Sequence, residues 1–192
     1  MFCHGFAFNA RYWDVLRSFF ANEHWVLDLQ SEMNWPTPEA EVDYIGIGHS
    51  RGLNTLIRSP IPFKGLIGLN AFVDFIGRDA ALAKLRRRML QRLIAGFKAD
   101  PKSTLAHFYE ACGVIATPAF HALNPDYLLY ALHDLEKPVQ CPSIPMLILG
   151  AKDDTIVPPR LIHDNFLSHS QVYIEFLETG QHALGQLNAA MV

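Results

Sequence analysis

The stretch "YIGIGHSRG", Tyr44 to Gly52, runs from a short apolar segment straight into Gly-His-Ser-Arg-Gly. A serine between two glycines, where a strand stops, has two explanations. Either the glycines serve a plain tight turn, or the turn exists to expose the Ser50 hydroxyl as a nucleophile. The next residues, "LNTLI", read as a helix, so the motif sits in a strand–turn–helix unit.

The segments on either side extend that unit. Upstream, "ARYWDVLRSFF" (Ala10 to Phe20) places Trp13, Leu16, Phe19 and Phe20 at helical spacing. "HWVLDL" (His24 to Leu29) is a predicted strand, and the polar, proline-bearing "QSEMNWPTPEAE" links it to the motif. Downstream, "FKGLIGLNAFV" (Phe63 to Val73) contains the next strand. Residues 74–137 then break the rhythm with helices punctuated by Pro101, Pro118 and Pro125. In the first of these, Leu82, Leu85, Met89, Leu93 and Phe97 form the expected apolar stripe. "STLAHFYEAC" and "NPDYLLYALHDL" supply further helices. Strand "PMLILG", helix "PRLIHDNFLSH" and strand "QVYIEFL" then restore the alternation. This is an α/β pattern: a mostly parallel sheet with helices on both faces, in a core spanning 1–73 and 138–192, with residues 74–137 as an inserted helical lid.

Composition narrows the class. The chain has 192 residues, enough for one substantial core, with 18% charged residues and a formal net charge of -3. Nothing in that balance calls for a nucleic-acid partner. Cys3, Cys112 and Cys141 lack metal-like spacing, and an odd count argues against a disulfide framework. No apolar run is long enough for a membrane span, and no signal peptide is legible, so cytoplasmic residence is expected.

Serine is a weak nucleophile at neutral pH and needs a base, together with a group that orients the base. Both follow the insertion. "LGAKDDTIVPP" puts Asp153 and Asp154 beyond a predicted strand, and "LETGQHALG" puts His182 beyond the next. The order Ser50, aspartate, His182 is that of a hydrolytic triad built on strand ends. Both aspartates remain candidates, Asp154 ahead of Asp153. Acyl transfer also needs donors for an oxyanion. The backbone N–H groups of Phe6, in "HGF", and of Arg51, after the serine, are placed to supply them. The Arg51 side chain is expected at the surface. His49 and His4 are expected to pack or to hydrogen-bond locally. This chemistry requires no metal and no cofactor.

With these pieces in order, "HGF", "GHSRG", "GAKDDTIVPP" and "GQHA", the chain resembles the α/β-hydrolase superfamily. The resemblance implies Ser50 as nucleophile, His182 as general base and then acid, and Asp154 or Asp153 as the residue orienting it. More narrowly, "HGFAFNARYWDVL" and "DLEKPVQCPSIPMLILGAKDDTIVPP" look like the pimeloyl-acyl-carrier-protein methyl ester esterases of biotin synthesis. That similarity implies a small-molecule or acyl-chain ester as substrate and an acyl carrier protein as partner. Lys84, Arg86, Arg87, Arg88 and Arg92 would meet that partner, or form a solvated helix face. Two departures stand out. Arg51 replaces the apolar residue usual after the nucleophile, and only "MFC" precedes His4, so the early edge strands usual in the superfamily are expected to be missing.

Overall fold

The computed structural model describes residues 1–21, 24–30, 35–114 and 117–187. Residues 31–34 of the proline-bearing link and most of the terminal "LNAAMV" lie outside the described residues. Six strands form one sheet: β1 (Phe2–Cys3), β2 (Val26–Leu27), β3 (Tyr44–His49), β4 (Phe63–Leu69), β5 (Met146–Ala151) and β6 (Val172–Leu177). They are ordered β2-β1-β3-β4-β5-β6, and every neighbouring pair is parallel. The continuous apolar character of β3, β4 and β5 follows from burial on both faces of such a sheet.

Strand order reverses beside β1, which pairs with β2 on one side and β3 on the other. The loops leaving β1 and β3 therefore part at the carboxyl edge of the sheet and open a crevice there, where parallel α/β sheets place their ligands. Helix α2 (Gly52–Ile57) starts directly after β3 and packs on β3 and β1. Gly48 and Gly52 permit that approach. A β-carbon on Gly48 would stand 2.5 Å from the backbone of Leu53, and one on Gly52 would stand 2.2 Å from the Cys3 carbonyl oxygen. Helix α6 (Pro159–Phe166) packs on β5 and β6, burying Leu161, Ile162 and Phe166.

Between β4 and β5 lie α3 (Ala80–Ala99), α4 (Pro101–Cys112) and α5 (Pro125–Asp134). Local signals set their ends. Asp79 caps α3 by accepting the Ala81 and Leu82 N–H groups, and Asp100 caps α4 through Ser103 N–H with Pro101 in the first turn. Gly113 ends α4 in the left-handed conformation at φ +71°. Asn124 and Pro125 open α5 in the same manner as Asp100 and Pro101 open α4. Among the described residues no helix is long and apolar enough to cross a membrane.

Four local expectations are corrected. The segment from Ala10 to Phe20 is not one helix but a 3-10 turn, Ala10–Trp13, followed by the four-residue α1, Asp14–Arg17. Trp13 and Leu16 are buried, while Phe19 and Phe20 face outward, because the Ser18 hydroxyl takes the Val15 carbonyl and the turn winds down there. The strand expected over His24 to Leu29 shrinks to Val26–Leu27. Its partner β1 offers two residues, and the Leu29 N–H goes to the His4 imidazole instead of a ladder. The "PRLIHDNFLSH" helix stops at Phe166, short of His169. Finally, α3 buries Ala83, Arg86, Leu90, Ile94 and Phe97, whereas Leu85 and Met89 are exposed. Of the stripe read from the sequence, Phe97 is buried and Leu82 and Leu93 are half-buried. Helix α7 (Leu184–Leu187) follows the loop after β6 and packs beside α1 and the 3-10 turn.

Candidate active site

Ser50, the residue after β3, adopts φ +54°, a left-handed conformation that a side-chain-bearing residue holds only when its surroundings fix it. Its N–H donates to the Leu69 carbonyl at 2.9 Å, and its own carbonyl accepts the Leu53 N–H at 3.2 Å. The strained turn is thus bonded at both ends, and the hydroxyl is set above the carboxyl edge of the sheet.

The loop after β6 brings His182 to it. His182 Nε2 lies 3.2 Å from Ser50 Oγ, and Nδ1 lies 2.8 Å from Asp154 Oδ2. All three residues are buried. Asp154 follows β5, and its other oxygen accepts the Ile156 and Val157 N–H groups at 2.7 and 2.9 Å. Those bonds fix the carboxylate so that Oδ2 faces the imidazole. With Nδ1–H donated to Asp154, bare Nε2 is free to take the serine proton. Asp153 is exposed and turned elsewhere: its carboxylate accepts the Gln181 N–H at 2.8 Å and so braces the histidine loop from outside.

The loop after β1 lies against the serine, since a β-carbon on Gly5 would stand 3.0 Å from Ser50 Cβ. His4 closes this loop on itself: Nδ1–H donates to the Gly5 carbonyl at 2.9 Å, while Nε2 accepts the Leu29 N–H at 2.9 Å. Among the described residues, neither the Phe6 nor the Arg51 N–H has a backbone acceptor. Both residues line the same cavity as Ser50 and His182.

The Arg51 side chain corrects the surface expectation. It is buried, with Nη1 donating to Tyr127 Oη at 2.7 Å and Nη2 to Asp134 Oδ2 at 3.4 Å. Burial is possible because a carboxylate waits there, and Arg58 shares that carboxylate at 2.6 Å. Arg86 is also buried and donates to the Ile76 carbonyl, so it is withdrawn from any surface partner. Arg87, Arg88 and Arg92 are exposed, and of these Arg92 lines the cavity.

Two residues that hold the site were not marked as site residues in the sequence. His49 Nε2–H donates to the His182 carbonyl at 2.9 Å, and its ring stacks on Tyr12 with centroids 4.3 Å apart. Burial, reinforced by the charge His182 would carry, pushes the His49 imidazole well below the usual histidine range, so it stays neutral. Asn70, fully buried at the end of β4 with φ +46°, donates to the Gln181 and His182 carbonyls at 2.6 and 3.0 Å. Its oxygen accepts the Ala151 N–H at 2.8 Å. A polar residue ending the apolar run "GLIGL" was the available signal for Asn70.

The cavity above Ser50 has a volume of about 550 Å³. Phe6, Phe72, Phe75, Leu93, Phe108 and Leu135 give it an apolar wall, and among the described residues no acidic side chain lines it.

Among solved structures the chain is similar to a lipase-esterase related protein from Clostridium acetobutylicum. The TM-score is 0.67 and the identity 18%, over 99% of this chain and 89% of that one. An esterase from Exiguobacterium antarcticum matches at TM-score 0.72 and 14% identity, covering 96% and 84% of the two chains. A hydrolase from Oleispira antarctica matches at 0.74 and 11%, covering 98% and 85%. The chain has the α/β-hydrolase fold. No family model matches the sequence, and no curated protein matches it.

Proposed function

We propose that this α/β-hydrolase-fold protein hydrolyses carboxylic esters through a Ser50 acyl-enzyme. The observation that carries the proposal is the hydrogen-bonded series Ser50–His182–Asp154 at the floor of an apolar cavity of about 550 Å³. In this mechanism His182 Nε2 takes the hydroxyl proton as Oγ attacks the ester carbonyl. Asp154 stabilises the imidazolium that forms, and the Phe6 and Arg51 N–H groups receive the developing oxyanion. His182 then protonates the leaving alcohol, and next activates water to release the acid.

The apolar wall fits an acyl chain. The narrower reading is the methyl ester of a pimeloyl-type chain presented by an acyl carrier protein. Supporting it, α3 carries basic and no acidic residues: Lys84, Arg87, Arg88 and Arg92 are exposed on it, and Met89 and Arg92 line the cavity. Charge of that sign would steer an acidic partner. Arg86, being buried, takes no part.

The test is labelling with a serine-reactive phosphonate and peptide mapping, followed by a panel of methyl, p-nitrophenyl and thioester substrates of varied acyl length. Labelling confined to Ser50, with hydrolysis lost in Ser50→Ala, is expected. A folded chain that resists the phosphonate would instead be a binding protein that keeps the elbow. A preference for thioesters would move the reading to a thioesterase.

A further inference from the structure

The helical insertion does more than cover the cavity. Three of its polar side chains and one of its carbonyls reach the loops that carry the chemistry, and together they fall on three segments: the loop after β1, the start of α2 and the histidine loop. We infer that α4 and α5 hold the two arms of the oxyanion hole in register, making Tyr109, Tyr127 and Asp134 positioning residues for the transition state. This inference rests on the esterase reading above.

The first arm is the loop after β1. Tyr109, buried on α4, donates its hydroxyl to the Ala7 carbonyl, one residue beyond the Phe6 N–H. Ala7 stands at φ +60°, a conformation that alanine adopts only when something holds it. Phe108, the neighbour of Tyr109 on the same helix, meets the Phe6 ring edge-on with centroids 5.2 Å apart. One turn of α4 therefore grips both Phe6 and Ala7.

The second arm is the start of α2. Arg51 supplies the amide at that end, and its guanidinium is bonded to Tyr127 and Asp134 on α5. Arg58, at the far end of α2, bonds the same Asp134 oxygen. One carboxylate on the insertion thus bonds the residues that flank both ends of this short helix. The histidine loop is gripped as well, because the Ala183 N–H donates to the Cys112 carbonyl at the end of α4.

A simple cover would touch these loops through apolar side chains alone. Here the polar tethers fall next to the Phe6 and Arg51 amides, neither of which has a backbone acceptor among the described residues. Oxyanion donors work only within a few tenths of an ångström of their optimum, so loosening a tether should lower the rate of reaction from bound substrate. Access for the substrate should be unchanged.

The test compares the parent protein with Tyr109→Phe and Tyr127→Phe, each of which keeps the ring and removes only the hydroxyl. Steady-state hydrolysis of a p-nitrophenyl ester and the rate of phosphonate labelling of Ser50 are measured on proteins with matching melting curves. Removal of a whole oxyanion donor costs roughly 10²–10³-fold in kcat. Loss of one tether is expected to lower kcat by about 10-fold, with the labelling rate falling in parallel and KM within about 2-fold. If one variant melts early, the other decides, since the two tethers act on separate arms. A raised KM with unchanged kcat would make the insertion a cover only, and unchanged kinetics in both folded variants would overturn the inference outright. A parent protein that shows no labelling at Ser50 would instead sink the esterase reading, and this inference with it.

Discussion

Asp154→Asn separates the two neighbouring aspartates by tautomer rather than by charge alone. In the parent, Asp154 Oδ1 accepts the Ile156 and Val157 N–H groups while Oδ2 faces His182 Nδ1 at 2.8 Å. An asparagine has one oxygen, and two backbone donors claim it. Its NH₂ group must therefore face His182, and Nδ1 must become the acceptor. The ring proton then sits on Nε2, aimed at Ser50 Oγ 3.2 Å away, where it cannot accept the serine proton. The same tautomer fault in a serine protease costs about 10⁴ in kcat, equivalent to about 5 kcal/mol of barrier. The two backbone hydrogen bonds survive unchanged and the one to His182 survives with its polarity reversed, so stability should change by only about 1 kcal/mol. Asp153→Asn keeps an oxygen for the Gln181 N–H, and its activity should stay within about 3-fold of the parent. Steady-state hydrolysis of a p-nitrophenyl ester, with thermal melts alongside, gives the comparison. Activity of Asp154→Asn within tenfold of the parent, or the large loss appearing in Asp153→Asn, would refute the assignment of the two carboxylates.

Two further outcomes follow from the core beneath the site. His49 is held neutral in the fold, below its unfolded value of about 6.5, so below that pH the unfolded chain binds the extra proton. Stability is full above about pH 6.5 and should fall by up to about 1.4 kcal/mol per pH unit as pH drops below it. Urea midpoints taken from pH 7 to 5 will show this slope, and His49→Gln should flatten it; an identical slope in both proteins would exclude His49 as its source. In Gly52→Ala the new methyl would meet the Cys3 and His4 carbonyl oxygens at 2.2 and 2.6 Å, and both are backbone atoms with little room to yield. A loss of about 1–3 kcal/mol is expected, together with reduced Ser50 labelling, and a parent-like melting curve would show that β1 gives way freely.

The order of the candidate site was legible because each of its residues follows a strand, and strand ends are marked by where apolar runs stop. "DYIGIG" and "PMLILG" stop one residue short of the ends of β3 and β5. The choice between Asp153 and Asp154 was not legible. It depends on a turn after Ala151 in which the Asp154 N–H bonds back to the Ala151 carbonyl, and spacing cannot resolve a rotation of one residue. Arg51 misled because its partners lie 76 and 83 residues away in sequence, and nothing local announces a buried counter-charge. On α3, periodicity reports an apolar stripe without saying which of its residues face inward. Arg86 is buried on this helix, since its guanidinium can reach the Ile76 carbonyl. Only "MFC" was left in the sequence for the strand that feeds His4, and Phe2 and Cys3 form that strand, between β2 and β3 in the sheet.

Asn70 has a bearing on how such a protein can be altered. One amide side chain joins the end of β4 to the last residue of β5 and to the loop beyond β6. The acid-bearing and imidazole-bearing segments are therefore fastened to a common post. In a chimera, transplanting either segment alone would leave half of that fastening behind, so the exchangeable module is both segments together with Asn70.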